Sequence, residues 1–189
     1  MKKRPKKGNF TFANNPMEHA MNRRIVIDTA KKLRGQYFTD GIKNPRDAFE
    51  RIFDERGIRL EYSDDCERIH RDDNGQWIIE VPCTSSPLRD NFTIAHELGH
   101  LFLHKTEESK EFHRSGEPKT EEVEANIFAA EFLMPEDEFK NKAKEFNNSE
   151  RMLASYFGVS PAAALVRMAV LNIFFRFTNV LKQTAVRSR

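Results

Sequence analysis

The chain predicts an α+β fold, a small antiparallel sheet packed on a helical bundle, and three observations carry that expectation. Ile58 to Tyr62 alternates with a period of two, and an Asn74-Gly75 turn signal separates the hairpin arms ERIHRDD and QWIIEVP. Helical periodicity and capping residues recur on both sides of that stretch. Directly after it, Phe92 to His104 reads FTIAHELGHLFLH, and Ile94, Leu98, Leu101, Phe102 and Leu103 make it a mostly buried helix. The expected organisation is a basic disordered tail over 1–15, a helix and connector over 16–43, a core over 44–146 and a C-terminal helical region over 147–189.

Taken in order, Pro16 to Arg34 carries Ala20, Ile25, Ile27, Ala30 and Leu33 at helical positions, and the glycine-containing connector GQYFTDGIKN follows. Asn44 is placed to cap a helix that starts at Pro45 and stops at Gly57. Ile58 to Tyr62 alternates as a strand, and Asn74-Gly75 separates the hairpin arms ERIHRDD and QWIIEVP. Ser86 and Pro87 open the buried helix. Thr120 to Pro135 is a further helix, with Thr120 as cap, acids in its first turn and Pro135 as its stop. Beyond it, Leu153 to Ser160 and the following Pro161 to Leu171 have the outline of a helix-turn-helix. The cluster Phe174, Phe175 and Phe177 suits a core or a partner contact equally.

Composition removes several classes. At 189 residues, 39% hydrophobic and 32% charged, the chain has the balance of one globular domain with a solvated surface. The longest apolar stretch, Ala162 to Val170, is interrupted by Arg167 and falls short of the roughly 20 residues a membrane helix needs. The start MKKRPKKGNF has the charge of a signal peptide without an apolar run, so secretion is not expected. Lys2, Lys3, Arg4, Lys6 and Lys7 account for the net charge of +2, which reads as a solvated tail. Cys66 and Cys83 form no C-x-x-C pattern, which points to a reducing compartment, the cytoplasm, and to no thiolate metal site.

His96-Glu97-Leu98-Gly99-His100 carries the chemistry. Residues four apart share a helix face, so His96 and His100 can present imidazole nitrogens to one cation, with zinc the default and manganese the alternative. Glu97 sits about 100° round the helix, unsuited to ligation beside His96 but suited to general base work on a water whose pKa the metal lowers from about 15.7 towards 7. Ordinary hydrogen bonding is the competing reading, but three polar side chains in apolar surroundings cost several kcal/mol unless something satisfies them. His104, eight residues from His96, lies about 12 Å along the axis and cannot share the same ion. Leu103 and Thr106 stand where a metzincin has glycine and histidine, which removes that class.

A third ligand must come from elsewhere, and the segment TEEVEANIFAAEFLMP supplies acids. Glu124 has Ile127 and Phe128 at i+3 and i+4, placing it on the apolar side, whereas Glu122 stands above Ala125 and Asn126. Glu124 is therefore the expected ligand. Glu131, inward on the same argument, and Glu121 are the fallbacks. No oxyanion stabiliser stands out, and His113 in the intervening loop reads as solvent-exposed.

The paired segments FTIAHELGHLFLH and EEVEANIFAAEFLMP resemble the signature of the ImmA/IrrE metallopeptidases of bacteria and their mobile elements, across roughly Pro45 to Leu171. The resemblance implies a gluzincin-like minimal metallopeptidase, with His96, His100 and Glu124 on the metal and Glu97 as the acid/base. It also implies a cytoplasmic endopeptidase that cuts a helix-turn-helix repressor and so switches on a phage, mobile-element or stress programme. A sheet edge beside the metal is where an extended substrate is commonly held, and Trp77 to Val81 is the candidate. The rival is a non-proteolytic DNA-binding or protein-binding regulator with a metal-stabilised core. Its second helix, PAAALVRMAV, offers only Arg167 to read a base, so direct DNA binding is not expected.

Overall fold

Local chemistry fixes the element boundaries in the computed structural model, which describes residues 16–39, 43–64, 67–83, 86–104 and 120–173. The basic tail, His113 and the Phe174 to Phe177 cluster lie outside the described residues. Helix α1 (Pro16–Tyr37) runs three residues past the expected end, through Gly35. Helix α2 (Pro45–Arg56) begins where the Asn44 side chain accepts the Arg46 N–H at 3.1 Å and ends at Gly57, whose φ of 62° is the left-handed conformation glycine adopts freely. Three strands follow, β1 (Ile58–Ser63), β2 (Arg68–Arg71) and β3 (Trp77–Pro82). Helices α3 (Pro87–His104), α4 (Thr120–Leu133), α5 (Glu136–Glu145), α6 (Glu150–Phe157) and α7 (Pro161–Val170) complete the described chain.

The sheet is mixed, not antiparallel as expected. Its order is β1-β3-β2, with β2 antiparallel and β1 parallel to β3. The hairpin signal identified only the β2–β3 pair; where β1 would dock depends on long-range packing that alternation does not encode. The turn itself sits one residue earlier than an Asn-Gly hairpin would place it. The Asp72 carboxylate accepts the N–H groups of Asn74 and Gln76, both at 2.9 Å, and Gly75 takes the positive φ of 80°. Because β3 is central, Trp77 to Val81 offers no free edge; Ile78, Ile79, Glu80 and Val81 are buried. The expected substrate edge is therefore corrected: β1 and β2 form the edges.

One hydrophobic core joins the sheet and the helices, α6 and α7 included. Phe128 and Phe132 of α4 stack at its centre, 5.7 Å between ring centroids, and Phe49 of α2 stacks on Phe132 at 6.2 Å. Leu153, Phe157, Ala164 and Met168 bury α6 and α7 in that cluster. The start of α3 is tied down by an Arg46–Asp90 ion pair at 3.2 Å and by the Asn91 amide donating to the Gly158 carbonyl at 2.7 Å. No single helix among the described residues is long and apolar enough to cross a membrane. Helices α6 and α7 reach that composition only as a pair, and the chain turns through 107° between them.

Candidate metal centre

Helix α3 is buried continuously from Thr93 to His100, so its polar residues cannot turn to water. His96, Glu97 and His100 are each at most 1% exposed. Four-residue spacing brings the two imidazoles together, with Nε2 of His96 and Nε2 of His100 3.1 Å apart. Helix α4 closes the cluster from the other side. Glu122 Oε2 lies 3.3 Å from His96 Nε2, and Glu122 Oε1 lies 3.3 Å from His100 Nε2.

These distances suit a small divalent cation. Zinc bonds of about 2.0–2.1 Å in a tetrahedron separate neighbouring ligand atoms by about 3.3–3.4 Å, close to the 3.1 and 3.3 Å edges present. The proton inventory agrees. Asn126 donates its amide to the Glu122 carbonyl at 2.8 Å, which turns Asn126 Oδ1 toward His96 Nδ1, 3.2 Å away. An oxygen there wants an N–H, so a neutral His96 keeps its lone pair on Nε2, facing the cluster. Two imidazoles and a carboxylate form a donor set that suits zinc-type ions rather than calcium or magnesium.

The acid brought to the histidines is Glu122, not the expected Glu124. Residues two apart on a helix point about 200° apart, so only one of the two can face α3. The large apolar neighbours of Glu124 suggested the wrong side, because α3 and α4 meet through small residues. Ala125 is fully buried against Gly99, where an added Cβ would come within 3.1 Å of the Ala125 Cα. Glu122, one turn before Ala125, therefore faces the histidines, and that Gly-Ala pairing is the signal that could have found it. Glu124 instead sets its Oε2 3.1 Å from His104 Nε2. Of the fallbacks, Glu121 is exposed and Glu131 is buried elsewhere, paired with Arg167 and accepting the Glu136 N–H at 3.2 Å. Asn126 was not singled out by the sequence, although it stands one turn from Glu122 on the same face.

Arg167, the sole base-reading candidate on α7, is 6% exposed. Its guanidinium bonds to the Met134 carbonyl at 2.9 Å and to Glu131. It holds the core and does not face a groove.

A buried histidine pair on one helix, with a glutamate between them and a carboxylate arriving from a neighbouring helix, is an HExxH-type arrangement of donors that could hold a metal ion. The chain belongs to the M78 peptidases, the metallopeptidase family described as the IrrE N-terminal-like domain, which it matches over residues 53–169. No curated protein matches the sequence. Among solved structures, a Mycobacterium tuberculosis transcriptional regulator has a similar fold, with a TM-score of 0.58 and 18% identity. The similarity covers 82% of this chain but 49% of that one, so this chain spans about half its length.

Proposed function

We propose that the chain is a metal-dependent endopeptidase in which His96, His100 and Glu122 hold one divalent ion, zinc or alternatively manganese, and Glu97 transfers protons. The observation that carries this reading is the convergence of donors from two helices: the two Nε2 atoms of the HExxH helix lie 3.1 Å apart, and each stands 3.3 Å from one carboxylate oxygen of Glu122 on α4. A cation held there supplies a Lewis acid for the water and the peptide carbonyl. The Glu97 carboxylate takes the proton of the attacking water and returns it to the departing amine nitrogen. Burial of Glu97 keeps competing solvent from that exchange.

The substrate we propose is a helix-turn-helix repressor of a phage, mobile element or stress response, cut in the cytoplasm. Family membership supports a protein substrate. A protein partner rather than DNA is also favoured by Met152, Leu165, Val166 and Val170, which lie 41–64% exposed on α6 and α7. A second reading, a regulator that binds without cutting, is favoured by the name of the structurally similar mycobacterial protein, a transcriptional regulator.

Glu97→Gln separates the two readings. It should keep the metal and the melting temperature but lose cleavage by about 10²-fold or more. The assay incubates both forms with a helix-turn-helix repressor encoded beside the gene and with casein. Selective cutting of the repressor that vanishes in Glu97→Gln supports the peptidase. Cleavage unchanged in the variant removes this mechanism, and metal binding without any cleavage favours the second reading.

A further inference from the structure

We propose that His104 and Glu124 form a positioning relay that holds His100 as a metal ligand, an inference that rests on the metal reading above. His104 is the last residue of α3, one turn beyond His100. Its Nδ1 lies 3.1 Å from His100 Nδ1, and its Nε2 lies 3.1 Å from Glu124 Oε2. The side chains are sheltered, 11% exposed for His104 and 17% for Glu124.

The donor and acceptor roles follow in sequence. His100 turns Nε2 toward His96 and Glu122, so as a ligand it keeps its lone pair on Nε2 and its proton on Nδ1. That Nδ1–H donates to Nδ1 of His104, which must then be the unprotonated nitrogen. His104 therefore carries its proton on Nε2 and donates it to the Glu124 carboxylate. The charge of Glu124 is thus felt at His100 through one intervening ring, which fixes the tautomer and orientation of His100 and strengthens its Nε2 as a donor. His96 has a neutral counterpart in Asn126, so the two ligands are held by different means. The relay also gives Glu124 a use on the side of α4 that does not reach the ion.

Outer partners of this kind commonly affect metal affinity by about 10- to 100-fold. The test measures zinc affinity by competition with a chromophoric chelator, together with the visible spectrum of the cobalt-substituted protein, in full-length wild type, His104→Ala, His104→Asn and Glu124→Ala. Asn is the conservative variant because its Oδ1 stands the same number of bonds from Cα as Nδ1 of histidine and can accept the His100 proton. His104→Ala should bind zinc about 10- to 100-fold more weakly and shift the cobalt bands, and His104→Asn should restore most of both. Glu124→Ala should weaken binding while retaining one equivalent of zinc. Melting of each metal-free variant establishes that the fold is intact. Wild-type affinity in His104→Ala or in Glu124→Ala overturns the relay, as does His104→Asn binding no better than His104→Ala. Failure of the wild type to bind zinc would instead overturn the metal reading on which the relay rests.

Discussion

Replacing Arg167 by methionine tests how the C-terminal helices are joined to the core. The guanidinium is 6% exposed and bonds to two groups, the Met134 carbonyl and the 2% exposed side chain of Glu131. Methionine fills much the same volume but leaves a carboxylate buried among apolar residues, and loss of one partner of such a pair costs about 3–5 kcal/mol. One neighbour relieves part of that cost. Lys31 Nζ remains 3.8 Å from Glu131, on a side chain 47% exposed and therefore well screened. The expected loss is therefore about 3 kcal/mol. For a domain of this size each kcal/mol moves the melting temperature by about 2–4 °C, so the drop should be about 6–12 °C. Calorimetry in the presence of a chelator measures it without metal linkage. Adding Glu131→Gln removes the stranded charge while keeping an oxygen for the Glu136 N–H, and should recover at least half of the loss. A drop under about 2 °C for Arg167→Met, or no recovery in the double variant, would refute the reasoning.

Three further substitutions probe the turns that set the fold. Gly158 has a φ of 63° and would bring a Cβ to 2.9 Å from Pro45 Cδ, so Gly158→Ala should destabilise by about 1–3 kcal/mol in urea unfolding. Gly75→Ala, at a φ of 80° but in open space, should cost less. Backbone N–H bonds from Gln76 and Asn74, with the Arg59 charge, hold the Asp72 carboxyl below its ordinary range. A depressed carboxyl contributes stability above its unfolded value near 3.9 and loses it as pH falls through the folded value. Asp72→Ala should therefore melt below the wild type at pH 6, with the gap closing as pH falls below about 4; a constant gap would contradict this.

What was legible in the sequence was largely local. Asn44 and Gly57 cap and stop a helix through bonds within a few residues, and the His96–His100 spacing is set by one helix alone. What was missed depends on contacts between distant segments. β1 joins the sheet parallel to β3, which placed Trp77 to Val81 at the centre of the sheet. The third acid required knowing how α4 rolls against α3, and there size misled. The large Ile127 and Phe128 pointed to Glu124, while the small Ala125 at the Gly99 crossing turns Glu122 to the histidines. The end of α1 at Tyr37 was also hidden, because Gly35 reads as a helix stop although a helix tolerates it at about 1 kcal/mol.

Zinc stoichiometry in Glu122→Ala and Glu124→Ala, read by elemental analysis after dialysis against a weak chelator, tests the central claim most directly. The geometry predicts about one equivalent in the wild type and in Glu124→Ala, and loss of the metal from Glu122→Ala, since two histidines alone do not complete a site. Full occupancy in Glu122→Ala together with loss in Glu124→Ala would contradict it.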